Sequence, residues 1–135
     1  MAPLRHPNLV MLIGACWTDG PDKLCIVLEY CSKGMLSDMT KDPSNTWETH
    51  YCEIALGVAR CFQYLHHEQP SKPLIHRDLK PDNVLIASDD TAKVADFGES
   101  TRFDDVNAAT EDDGNLSMTC VGSPMFCVRV HDSPQ

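Results

Sequence analysis

Apolar residues gather in two short blocks near the start of the chain, Leu9 to Trp17 and Leu24 to Tyr30, with the turn-forming cluster Thr18-Asp19-Gly20-Pro21-Asp22 between them. Blocks of this length bounded by Gly, Pro and Asp predict two strands joined as a β-hairpin through a five-residue connection. The period then changes. Tyr51, Ile54, Ala55, Val58, Phe62 and Leu65 stand at offsets of 3, 4, 7, 11 and 14 from the first, the spacing of one helix face. Asn45 with Glu48 three residues on has capping-box spacing, and Pro70 and Pro73 close the far end, so a helix is predicted from about Thr46 to His67. Val84 to Ala87 and Ala92 to Ala95 predict a second hairpin, tight because only Ser88-Asp89-Asp90-Thr91 separates them. From Glu99 to Asn115 the chain is polar and acidic without periodicity, which predicts a mobile loop. No internal repeat is visible.

Composition narrows the class. A chain of 135 residues with 42% hydrophobic and 23% charged positions fits one folded domain at most and excludes a wholly disordered chain. Eleven basic against twenty acidic residues give a net charge of −9, which argues against nucleic-acid binding. The longest apolar run is well short of the roughly 20 residues a membrane helix needs, and the N-terminus lacks an apolar signal region. The cytoplasm is the expected location. Seven cysteines, with no C-x-x-C pair, read as reduced thiols rather than a zinc site or disulfide framework. His66-His67-Glu68 invites a metal, but adjacent helical residues point in different directions and no second ligand pair follows.

The chemistry lies on either side of the tight hairpin. His76-Arg77-Asp78-Leu79-Lys80-Pro81-Asp82-Asn83 precedes it and Asp96-Phe97-Gly98 follows it. Taken singly, Asp78 could be a loop carboxylate, Lys80 a solvated amine, Asn83 a turn former and Asp96 a cap. In this order and at this separation they resemble the catalytic loop and metal-binding loop of eukaryotic protein kinases. The chain is identified as a partial member of that family, with an α+β, kinase-like fold. The resemblance implies small-lobe strands and hinge over residues 1–31, the start of the large lobe through the activation segment over 32–127, and a divergent tail over 128–135. It implies ATP and Mg2+ as cofactors, and a protein as substrate. Asp78 is expected to orient the substrate hydroxyl and accept its proton, and Lys80 to neutralise the γ-phosphate. Asn83 and Asp96 are expected to supply the oxygen ligands that hard cations require.

Other segments resemble the family in turn. Leu28-Glu29-Tyr30-Cys31 matches the hinge, with Leu28 as gatekeeper, backbone groups of Glu29 and Cys31 against the adenine edge, and Leu85 as the apolar floor. Met1, Leu12, His76 and Phe97 match the regulatory spine. By that match the regulatory glutamate and the strand lysine would lie upstream of Met1, and no G-x-G-x-x-G occurs in these residues. Gly122-Ser123-Pro124 resembles the substrate-docking end of the activation segment, yet Val128-Arg129-Val130 stands where the family has Ala-Pro-Glu. The tail therefore resembles a change of coding frame or an unspliced end. Lys80-Pro81 resembles serine/threonine kinases, as does Ser123, which occupies the hydroxyl position such kinases use to brace the catalytic Asp and Lys; LVMLIGACW and LEYCSKGML resemble the tyrosine-kinase-like group. Thr119, with Ser117 as second candidate, matches the activating phosphosite of an upstream kinase, with Arg77 as receiver of the phosphate. The implied function is phosphoryl transfer from ATP to protein Ser or Thr, with the 135 residues alone expected to be inactive. Alternatives are a non-catalytic partner-binding module, a gene-model fragment, or a small-molecule phosphotransferase, the last disfavoured by the peptide-docking segment.

Overall fold

The computed structural model describes residues 4–17, 23–68, 73–102 and 123. The first hairpin pairs β1 (Leu12–Trp17) with β2 (Leu24–Leu28) antiparallel, with a register shift between Leu12 and Gly14. Its connection at 18–22 lies outside the described residues. A short helix α1 (Leu36–Met39) follows.

The amphipathic segment is helical without a break from residue 47 to 68: a π-type turn at Trp47–Tyr51, α2 (Cys52–Gln63), and a second π-type turn at Tyr64–Glu68. The cap falls one residue later than the spacing predicts. Thr46 is extended, its side chain accepts from the Thr49 amide, and the Thr49 hydroxyl accepts from the Thr46 amide. Asn45 is not the cap; its Nδ2 donates to the Met39 carbonyl, 2.9 Å away, and ties the helix start to the end of α1. The buried stripe also differs. It runs Ile54, Gly57, Cys61 and Leu65, with Val58 and Phe62 half-buried and Ala55 exposed. Gly57 draws that face inward: a Cβ there would lie 2.7 Å from Asn8 Nδ2, so the missing side chain is what admits Asn8.

The tight hairpin, β4 (Val84–Ile86) with β5 (Ala92–Val94), is the centre of the fold. Val84, Ile86, Ala92 and Val94 are all buried: the first three cluster with Ile54 of α2, and Val94 with Leu9, Cys61 and Leu65. Its edges are occupied on both sides. Leu9 bridges Val94 in parallel; the Val10 amide donates to the Val94 carbonyl and the Val94 amide to the Asn8 carbonyl, both at 2.9 Å. On the other edge Met35 bridges Leu85, and the Ile86 amide donates to the Gly34 carbonyl. Gly34 has φ +75, a left-handed turn that glycine reaches without strain. A third pair, β3 (Leu74–Ile75) with β6 (Thr101–Arg102), leaves no period in the sequence, because two-residue strands are too short to show one. It places an ordered element inside the stretch predicted as a loop. The rest of that stretch, from 103, lies outside the described residues.

Candidate active site

The hairpin register delivers the site. Val84 pairs with Val94, so Asn83 and Ala95 meet just beyond the ladder, where the Ala95 amide donates to the Asn83 carbonyl at 2.8 Å. Asn83 thus ends the 3-10 turn Pro81–Asn83 on one strand, and Asp96 leaves the other. His76, 1% exposed, locks the preceding loop to the same end. Its Nδ1 accepts from the Asp78 amide at 3.3 Å, so Nε2 carries the proton and donates to the Ala95 carbonyl at 2.9 Å. Its ring also meets Phe97, centroids 4.7 Å apart.

Asp78 is held by four bonds. Oδ2 accepts from Lys80 Nζ at 2.6 Å and from Asn83 Nδ2 at 3.0 Å, and Oδ1 accepts from the backbone amide and the hydroxyl of Ser123, both at 2.9 Å. Lys80 Nζ also donates to Ser123 Oγ at 3.2 Å, closing a ring of Asp78, Lys80 and Ser123. The Lys80 hydrogen bond first, then that from the Ser123 side chain, holds the Asp78 carboxyl down at about 2. Its bond to Asp78 and the further negative charges of Asp82 and Asp96 raise the Lys80 ammonium pKa. A carboxylate of that acidity is a weak base near neutrality, so its aptitude is to accept and aim a hydroxyl.

Both bonds of Asn83 Nδ2 go to Asp78, one to its carbonyl and one to its carboxylate. The amide is thereby oriented, and Oδ1 is the atom it has to offer a cation. Asp96 is exposed and adopts φ 59, a left-handed conformation that Asp tolerates better than most residues. Its Oδ1 accepts from the Gly98 amide at 3.3 Å. One exposed carboxylate and one buried amide oxygen at the same end of the hairpin are a donor set suited to Mg2+, which keeps waters and phosphate oxygens as its other ligands.

The residues expected at the hinge divide. Leu28 and Leu12 line a cavity of about 520 Å³ with Ala95, Asp96 and Phe97, so the residue expected as gatekeeper shares one space with Asp96. Cys31 and Leu85 do not line it. Cys31 is buried at 8% exposure, and Leu85 is half-buried in the ladder beside Met35. The Glu29 side chain performs a task that sequence reading missed. Its Oε1 accepts from the Met11 amide at 2.6 Å and from Lys93 Nζ at 3.0 Å, with Nζ 2.9 Å from Oε2. The Glu29 amide donates back to the Met11 carbonyl. Glu29 therefore fastens the start of β1 and β5 to the segment that follows β2. A lone Lys in a short strand carries no signal of this, because its partner is 64 residues away. Arg77, at φ 68, donates through Nε to the Glu99 carbonyl. Met1, Ser117, Thr119, Gly122 and 128–135 lie outside the described residues.

A hairpin that presents an amide and a carboxylate at one end, beside a loop carboxylate bridged to lysine and serine, is an arrangement compatible with phosphoryl transfer. The family model for the protein kinase domain matches residues 1–127, and the chain belongs to that family. Relatives include U-box domain-containing protein 52 of Arabidopsis thaliana, 40% identical over 82% of this chain and 13% of the relative. The EPD1-interacting receptor-like cytoplasmic serine/threonine-protein kinase of Nicotiana benthamiana is 37% identical over 82% of this chain and 24% of its own length. "Probable serine/threonine-protein kinase drkC" of Dictyostelium discoideum is 38% identical over 93% and 16% respectively. The chain thus spans at most about a quarter of these relatives. No helix among the described residues is long and apolar enough to cross a membrane.

Proposed function

We propose that these residues form the catalytic-loop half of a cytoplasmic serine/threonine protein kinase that transfers the γ-phosphoryl group of ATP to a hydroxyl on a protein. The observation that carries the reading is the ring of Asp78, Lys80 and Ser123, with Asn83 bonded to the same carboxylate. Asp78 accepts the hydrogen bond of the incoming hydroxyl and aims its oxygen, with the Ser123 backbone fixing the peptide segment against it. Lys80 carries positive charge to the transferred group. Asp96 and Asn83 would hold Mg2+, whose charge offsets that on the phosphate oxygens. Leu28 and the backbone of Glu29 and Cys31 would meet the adenine, with Leu85 beneath it. Thr119 or Ser117 would receive an activating phosphate from an upstream kinase.

Residues 1–135 hold no glycine-rich phosphate loop, so the purified 135-residue chain is expected to give little or no transfer. The test is transfer of labelled γ-phosphate to Ser/Thr and Tyr peptides, by this chain and by the chain with its flanking genomic coding sequence. The longer form should label Ser or Thr and lose about 10²–10⁴ in rate on Asp78→Asn. Labelling of Tyr alone, or no effect of Asp78→Asn, overturns the reading. Magnesium-dependent turnover by the 135-residue chain itself, abolished by Asp78→Asn, overturns its inactivity. An apolar groove of about 540 Å³ that includes the exposed Trp47, with Tyr51, Ile54, Leu79 and Pro81, favours partner binding as the second reading. Sedimentation as a defined complex with no phosphotransfer by the longer form would favour it.

A further inference from the structure

The β1–β2 hairpin carries two thiols that phosphoryl transfer does not use. Cys16 and Cys25 are register partners in this antiparallel pair, flanked by the partners Ala15 with Ile26 and Trp17 with Leu24. Both are free and exposed. Register partners in an antiparallel ladder sit about 4.5–5.5 Å apart at Cα with their side chains on one face. That separation lies inside the span of about 4.4–6.8 Å that a disulfide bridges. The hairpin register therefore sets the two cysteines at a backbone separation that a disulfide can span.

The other described cysteines lack this arrangement. Cys52 is exposed at the start of α2, with no cysteine facing it across a ladder. Cys31 and Cys61 are buried. Burial raises the Cys61 thiol to about 12, and burial followed by the nearby charge of Glu29 raises that of Cys31. Both are thereby kept as unreactive thiols, since the thiolate is the nucleophile.

We propose that Cys16 and Cys25 form a peroxide-responsive dithiol that closes reversibly into a cross-strand disulfide. The thiolate of one cysteine attacks the O–O bond of a peroxide: an S–O bond forms, the O–O bond breaks, and hydroxide leaves and is protonated to water. The second sulfur then attacks the sulfenic acid. An S–S bond forms, the S–O bond breaks, and water departs with the thiol proton. Two thiols are oxidised by two electrons in all, and one hydrogen peroxide is reduced to two waters. A dithiol reductant reverses the bond, the usual character of a cytosolic disulfide. The bond closes a ring through residues 17–24 and couples the two strands upstream of Leu28 and Glu29.

The test uses the whole 135-residue chain, treated with hydrogen peroxide, blocked with iodoacetamide and digested with trypsin without reduction. Cleavage after Lys23 separates the Cys16 peptide from the Cys25 peptide, so a disulfide is what keeps them together. Cys31 shares the second peptide, and fragment ions assign the bond to one or the other. The expected result is a Cys16–Cys25 linked pair, lost on adding dithiothreitol, with alkylation of both thiols slowed at least about tenfold. Cys16→Ser should yield no linked pair and a Cys25 that oxidises no further than a single thiol can. The proposal is overturned if both thiols alkylate at the untreated rate after peroxide. It is equally overturned if each is oxidised singly without linkage, or if the bond joins either one to Cys31 or to a second chain. The mapping is made on the unsubstituted protein, so it stands even if the variant fails to fold.

Discussion

Lys93→Met removes the ammonium that faces Glu29 and keeps most of the aliphatic stem. The pair sits at 2.9 Å with side chains 16% and 21% exposed, so both charges are about four-fifths out of water. At an effective dielectric near 20 the gross attraction is about 6 kcal/mol, and removing two ions from water cancels more than half of it. A charge-assisted hydrogen bond in such surroundings nets about 1.5–3 kcal/mol. Residual solvent screening puts Lys93 at the low end, about 1.5–2 kcal/mol. The measurement is urea unfolding at pH 7, followed by the fluorescence of Trp17 and Trp47, in a double-mutant cycle with Glu29→Gln. The cycle isolates the pair because the side-chain carbonyl of the introduced glutamine still offers the Met11 amide an acceptor. A coupling energy near 1 kcal/mol or above is expected, and it should persist in about 1 M salt, where exposed pairs are screened within roughly 3 Å. A coupling below about 0.3 kcal/mol, or one abolished by salt, is the behaviour of a surface pair. Either result would refute the assignment of Glu29 and Lys93 as the fastening between the segment that follows β2 and β5.

Two further outcomes follow from the packing and the site. Gly57→Ala should destabilise the fold by about 1 kcal/mol although alanine is the better helix former by about the same amount, because the new Cβ evicts Asn8 from its buried 2.9 Å bond to the Ala92 carbonyl. In an Asn8→Ala background the same change should turn neutral or stabilising, which thermal unfolding of the four proteins reads directly. The second concerns acid: Asp78 titrates at about 2 in the fold against an ordinary 3.8, so the unfolded chain binds the proton first as pH falls. The advantage of the native protein over Asp78→Asn should therefore be full above pH 3.8 and disappear as pH drops through about 2, in unfolding curves taken across that range.

What the sequence discloses and what it withholds divide by distance along the chain. Asp78, Lys80 and Asn83 lie within six consecutive positions, and Asp96 follows across a hairpin only eleven residues long from Val84 to Val94, so local spacing nearly determines how these groups meet. The same holds for the two main hairpins and the long helix, whose periods are repeated often enough to read. The details that differ each turn on a partner outside the local pattern, some of them far along the chain. Asn45 has the chemistry of a cap, but Met39 claims its amide and the cap passes to Thr46. Val58 looks the better core residue than Gly57, but Asn8, arriving from near the start of the chain, needs the space that glycine leaves. Glu29 drew notice for its backbone, while its side chain joins Met11 and Lys93. Ser123, 45 residues from Asp78, is legible only through the family resemblance, which assigns its hydroxyl to bracing Asp78 and Lys80; it supplies two of the four bonds that hold that carboxylate, its backbone amide giving one of them. Motif spacing therefore identifies which groups gather, and through Lys80 the largest part of what makes Asp78 acidic, whereas the further bonds from Ser123 come from a neighbour that no local window contains. A substitution at Ser123, Lys93 or Asn8 would consequently alter the behaviour of Asp78, Glu29 or α2 while leaving the catalytic-loop and metal-loop motifs intact.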